Sequence, residues 1–153
     1  MGTNFYCKHI PTGAEYAEMQ KALAEKQLDR LQELLNKARV KHHIGKRSAG
    51  WAFLFQGKMA PADLREQEQI PWDDNLDSLK EYLNKPDIQI EDEYGNQYTP
   101  EKFWKEIESC IYVKKGYWSD ETYHQEHPQE YFYKVGNYEK VKDNIRWSYL
   151  NFS

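Results

Sequence analysis

The sequence predicts an α+β protein: a mostly antiparallel sheet with two or three helices packed on one face, one of them long and near the N-terminus. Three observations predict it. Short β-branched and aromatic segments alternate with stretches of helical periodicity, in the order β-α-β-β-α-β-α-β. Turn residues fall between these segments rather than inside them. The 153-residue length is that of one domain, taken as 1–153, with no internal repeat or linker to divide it.

The elements follow in order. Residues 3–9 form a first strand that stops before Pro11. Thr12 and Glu15 make a capping box, which starts a long helix over 13–39. Its stripe is Ala17, Ala24, Leu28, Leu31, Leu35 and Ala38, and charge covers the other faces. His42 to Gly57 is a hairpin with arms His42–Arg47 and Trp51–Phe55 around a Ser48-Ala49-Gly50 bend. Residues 60–75, with Pro61 and Pro71, form a loop carrying at most a short helix. Leu76, Leu79 and Leu83 mark a short helix that ends before Pro86. Ile88–Glu91 alternates as a strand, Tyr94-Gly95-Asn96 turns, and Gln97-Tyr98 pairs back. Thr99-Pro100-Glu101 starts a further helix with Phe103, Trp104, Ile107 and Ile111 on one side. A hairpin from Tyr131 through Gly136-Asn137 to Val141, then a strand with Ile145, Trp147 and Tyr149, completes the sheet.

Composition excludes several classes. The chain has 6 Phe, 5 Trp and 12 Tyr, 15% aromatic, too many for a disordered chain. No apolar run approaches a membrane span, and the N-terminus lacks a basic start and apolar stretch. Cys7 and Cys110 build no disulfide framework, so a reducing, cytoplasmic setting is expected. Charge is uneven: +4 over residues 1–50, −10 over 51–133 and +2 over 134–153. A duplex DNA partner needs a broad positive face, which this distribution does not offer.

His43-Ile44-Gly45-Lys46-Arg47-Ser48-Ala49-Gly50-Trp51 is the segment richest in binding chemistry. Glycines let backbone approach a ligand, and neighbouring Lys and Arg side chains suit a phosphate. The candidate ligand-binding residues are therefore His43, Lys46, Arg47, Ser48 and Trp51. The segment lacks the Gly-x-x-x-x-Gly-Lys-Ser/Thr order of a phosphate-binding loop. A plain hairpin with solvated cations remains the alternative. No metal is expected: Cys7, His9, His42, His43, His124 and His127 show no paired zinc spacing. His124-Gln125-Glu126 lacks the Pro-Cys-x-x-Cys partner of a deaminase, and no Gly-x-Ser-x-Gly elbow occurs. Glu91-Asp92-Glu93 is expected to be a solvated turn. With no convincing catalytic set, the chain is expected to bind rather than catalyse, and without a cofactor. Aromatics beyond the needs of the core suit a nucleotide pocket or a protein interface, and self-association stays open.

Three stretches carry a resemblance: Met1-Gly2-Thr3-Asn4-Phe5-Tyr6, the His43–Phe53 segment, and Ile90-Glu91-Asp92-Glu93-Tyr94-Gly95-Asn96 followed by Thr99-Pro100-Glu101. Together they resemble a family of small uncharacterised proteins encoded by bacteriophages and prophages. The match covers about residues 1–6, 42–55 and 76–112. Relatives often have a Cys-x-x-Cys segment where this chain has the 13–39 helix, so no metal role carries over. The segment from Tyr117 onward has no counterpart. The resemblance implies a phage accessory protein acting in the cytoplasm of an infected bacterium, a setting in which host defence is a common target. Two functions are expected from it and the residues together. The first is sequestration of a phosphate-bearing small molecule, such as a nucleotide immune signal. The second is inhibition of a host protein through the aromatic surface or helix 13–39.

Overall fold

In a computed structural model, the structure describes residues 2–58, 70–113 and 139–148. Seven strands form one sheet: β1 (Gly2–His9), β2 (Lys41–Ser48), β3 (Leu54–Gln56), β4 (Ile88–Asp92), β5 (Gln97–Tyr98), β6 (Glu139–Lys142) and β7 (Ile145–Ser148). Their spatial order is β5-β4-β1-β2-β3-β7-β6, and only the β3–β7 pair is parallel. Four helices accompany it among the described residues: α1 (Gly13–Ala24), α2 (Leu28–Arg39), α3 (Leu76–Leu83) and α4 (Pro100–Ile107), the last continued by a 3₁₀ turn over Glu108–Cys110. The α+β class is thus as expected. None of the helices described is long and apolar enough to cross a membrane.

The core follows from strand alternation. Phe5 and Cys7 of β1, Ile44 of β2, Phe55 of β3 and Ile90 of β4 are all buried. They share one cluster with Leu79 and Leu83 of α3 and Phe103 and Ile107 of α4. Phe5 meets Phe103 edge-on at 5.2 Å between centroids, and Phe53 lies 4.5 Å from Phe55. Burial of such rings supplies most of the apolar stabilisation, a few kcal/mol each. Trp72, outside the regular elements, is also buried and donates its indole N–H to the Gln56 carbonyl at 2.9 Å.

Two features shape β2. Phe5 pairs with Gly45 but Tyr6 pairs with His43, so Ile44 is an extra residue and the strand bulges there. A Cβ at Gly45 would stand 2.2 Å from the Phe53 ring and 2.4 Å from the Leu54 carbonyl oxygen. That glycine therefore serves the close packing of the hairpin.

The expected long helix 13–39 is two helices. Thr12 and Glu15 form the capping box at the start, as expected. The first helix ends after Ala24, with Lys26 at φ 57°. The Gln27 amide reaches the Ala22 carbonyl at 2.8 Å and the Lys26 amide reaches Leu23 at 3.2 Å. This is the Schellman ending, with lysine where glycine is usual. The chain reverses, and Arg30 of α2 donates from Nε to Glu18 of α1 at 2.8 Å. Ala22 and Leu34 are the buried residues of this pair, while Ala17, Ala24 and Leu28 of the expected stripe are exposed.

A further correction concerns the acidic cluster Glu91-Asp92-Glu93. Asp92 is not solvated: it is 4% exposed and its carboxylate accepts from the Tyr94 and Asn96 amides, the Asn96 side chain and the Tyr98 hydroxyl, all at 2.9–3.0 Å. Burial alone would raise its pKa, but these hydrogen bonds win and hold it below the ordinary aspartate value. Glu91 is buried between Lys41 at 2.7 Å and Lys8 at 3.5 Å. Near the C-terminus, the turn that joins β6 to β7 is Asp143-Asn144, both at positive φ, as a tight hairpin requires. The expected turn at Gly136-Asn137, the aromatic stretch 117–133, Tyr149 and most of the 60–75 loop lie outside the described residues.

Candidate functional site

Strand register assembles the site. Lys46 of β2 pairs with Leu54 of β3, and Leu54 pairs with Arg146 of β7. Directly paired residues project from the same face of a sheet, so these three side chains form a row across three strands. Ser48, two residues on from Lys46, shares its face. The bend beyond it closes through the Trp51 amide, which donates to the Ser48 carbonyl at 3.1 Å. Gly50 holds φ +79° in that bend, a conformation that suits glycine. The result is a pocket of about 320 Å³ lined by Lys46, Ser48, Trp51, Leu54 and Arg146. Two cations, a hydroxyl and an indole that is 41% exposed thus converge, with no carboxylate among the described lining residues.

Two contacts with described residues help to hold Arg146 in place. Its Nη1 donates to the Ala52 carbonyl at 2.7 Å, and its guanidinium carbon lies 5.6 Å from the Trp51 ring centroid. A guanidinium over an indole face is an attractive, preorganised pairing.

Of the five expected site residues, Lys46, Ser48 and Trp51 come together and two do not. Arg47 follows Lys46 directly and so projects from the other face. There it binds Glu106 of α4, at 2.8 Å to the carboxylate and 3.3 Å to the carbonyl oxygen. Its cation ties β2 to a helix. His43 is buried in a polar network instead of lining the pocket. Its Nε2 lies 2.9 Å from Asn4 Oδ1 and its Nδ1 3.4 Å from Gln56 Oε1. Burial pushes its pKa down to about 4, so the ring is neutral at pH 7. The shorter contact assigns the single N–H to Nε2. Gln56 in turn donates to the Gly57 and Ser148 carbonyls, both at 3.3 Å.

Sequence reading missed Arg146 and Leu54. A signal for Arg146 existed: it alternates with Ile145 and Trp147 and so faces away from the core. Nothing local announced the parallel β3–β7 pairing that carries it to Trp51.

Other candidate chemistry has structural duties. Cys7 is fully buried, and burial raises its thiol pKa far above the usual range, so it is no thiolate nucleophile. His9 lies between the carboxylates of Glu15 and Asp87, 2.7 Å from each. Among the described residues, no three His, Cys, Asp or Glu side chains stand close enough to hold a metal ion.

The fold and site define an α+β protein with a small cation- and indole-lined pocket at the bend of its central hairpin. Comparison with protein-family models, curated sequences and solved structures gives no match to this chain.

Proposed function

We propose that this protein binds and sequesters a phosphate-bearing small molecule of nucleotide type in the Lys46–Ser48–Trp51–Leu54–Arg146 pocket, without transforming it. The observation that carries this reading is the convergence of two cations and a hydroxyl on an indole. Lys46 and Arg146 suit the phosphate as hydrogen-bonding cations, and Ser48 can donate to it. Trp51 and Leu54 offer apolar surface to a nucleobase. The volume is at the small end of ligand pockets, which favours a ligand of mononucleotide size or one nucleotide unit of a larger one. The resemblance to phage-encoded proteins supplies the setting: an accessory protein in the cytoplasm of an infected bacterium that withholds a nucleotide immune signal from its receptor.

A second reading, a protein that inhibits a host protein by docking on it, is favoured by a different observation. Tyr16, Leu23 and Leu28 are 53%, 62% and 66% exposed on the α1–α2 pair. Large apolar side chains in that position suit a partner surface.

A thermal-shift screen against mononucleotides and cyclic dinucleotides tests the first reading. A ligand that binds only the native state raises the midpoint by mass action. The ligand should be recovered chemically unchanged after incubation. A flat response to every nucleotide, with capture of one host protein that Leu23→Asp abolishes, would establish the second reading in its place.

A further inference from the structure

A second cavity, of about 360 Å³, lies at the other end of the β1–β2 ladder, where β1 ends and β2 begins. Val40 and Ile88 give it aliphatic surface, His42 and Tyr82 give it rings, and Lys37 and Lys85 add two ammonium groups. The remaining polar groups of its wall are already committed. His9 holds Asp87 and Glu15, and Lys37 reaches the second oxygen of Glu15 at 3.5 Å.

His42 and Tyr82 are placed by ring contacts alone. Each packs on the buried Trp72, at 6.2 Å and 5.6 Å between centroids, and Lys85 lies 5.3 Å above the Tyr82 ring. Neither the His42 ring nitrogens nor the Tyr82 hydroxyl makes a hydrogen bond among the described residues. Both residues are half-buried and their polar atoms stay open to the cavity, so they are available to a ligand. Burial lowers the His42 pKa and raises that of Tyr82. The wall therefore offers a neutral imidazole and an O–H donor rather than a phenolate.

The charge balance narrows the ligand. Lys37 stands in the last turn of α2 and Lys85 just beyond the end of α3. Helix C-termini carry partial negative charge, which offsets part of each lysine and disfavours a doubly charged phosphate. No arginine or helix N-terminus is present among the described lining residues to compensate. We propose that this cavity binds a small planar aromatic monoanion, an aryl carboxylate of one or two rings. Its ring rests among Val40, Ile88, His42 and Tyr82, and its carboxylate is received by the Tyr82 hydroxyl and Lys85.

Calorimetric titration of the full chain with indole-3-carboxylate tests the site, with indole-3-carboxamide as the neutral counterpart and inorganic phosphate as the competing anion. Saturable binding of one carboxylate per chain is expected, with the carboxamide and phosphate each at least about tenfold weaker. Tyr82→Phe keeps the ring on Trp72 and removes one hydrogen bond to a charged group, so it should weaken binding about tenfold or more. Lys85→Gln, at the rim, should weaken it several-fold with an unchanged melting temperature, and serves if Tyr82→Phe perturbs the fold. Trp51→Ala should leave this binding unchanged, which separates the site from the hairpin pocket. Absence of saturation at millimolar probe, equal affinity for carboxamide or phosphate, or indifference to both Tyr82→Phe and Lys85→Gln would overturn the proposal.

Discussion

Arg146 lies over the indole of Trp51, 5.6 Å from the ring centroid, although one belongs to the last described strand and the other to the bend of the central hairpin. The contact joins two segments that only the sheet topology brings together. It also sets the orientation of the two groups that the candidate nucleotide pocket depends on most.

Trp51→Ala separates the pocket role of this residue from a core role. A fully buried tryptophan costs about 3–5 kcal/mol when truncated, but Trp51 is 41% exposed. The expected cost is therefore about 1–2 kcal/mol by urea denaturation, together with loss of any nucleotide-induced rise in melting temperature. A cost near 4 kcal/mol would make the indole a core element.

The two neighbouring cations of β2 should behave differently. Lys46 lines the pocket, whereas Arg47 is spent on Glu106 at the surface. Lys46→Ala should weaken nucleotide binding at least about tenfold, the worth of one charge-assisted hydrogen bond. Arg47→Ala should leave affinity within about twofold and cost under about 1 kcal/mol of stability, as exposed ion pairs do. Equal loss of affinity in both variants would return Arg47 to the site.

Helix boundaries show what sequence could and could not reveal. Caps written in side chains were readable: Thr12 with Glu15, and Thr99 before Pro100, start helices where expected. The α1–α2 break was not, because it is built from backbone hydrogen bonds around a lysine, with no glycine to mark it. The site divides in the same way. Lys46, Ser48 and Trp51 lie within six residues and announce themselves as a group, while Arg146 arrives through long-range parallel pairing. The His43–Asn4–Gln56 network was hidden for a related reason, since Asn4 and Gln56 become its partners only through pairing with both flanking strands.

Lys26→Gly distinguishes the two-helix arrangement from a continuous helix. At φ 57° a side chain costs energy that glycine avoids, so the substitution should stabilise the protein by about 0.5–1 kcal/mol. In a continuous helix the same substitution would destabilise by about 1 kcal/mol. The sign of the change in urea midpoint decides between them.

His43 should make stability fall as the solution is acidified. Its folded pKa, about 4, lies below the ordinary value of 6.5, because burial penalises the charged ring. Between these values the unfolded chain takes up a proton that the folded protein refuses, so unfolding gains free energy as pH drops. The stabilising contribution is complete above about pH 6.5 and lost as pH falls toward about 4. At about 1.4 kcal/mol per pKa unit, the loss across this window is about 3 kcal/mol. The half-buried His42, its pKa also lowered by desolvation, adds to it in the same direction. His43→Gln keeps an amide in reach of Asn4 and Gln56 while removing the titrating ring. The variant should start out less stable at pH 7, yet lose markedly less stability than the parent between pH 6.5 and 4.5. Urea unfolding followed by tryptophan fluorescence at several pH values measures both slopes. Parallel slopes in the two proteins would place the acid sensitivity elsewhere, with the carboxylates of Asp92 and Glu91 next in line at lower pH.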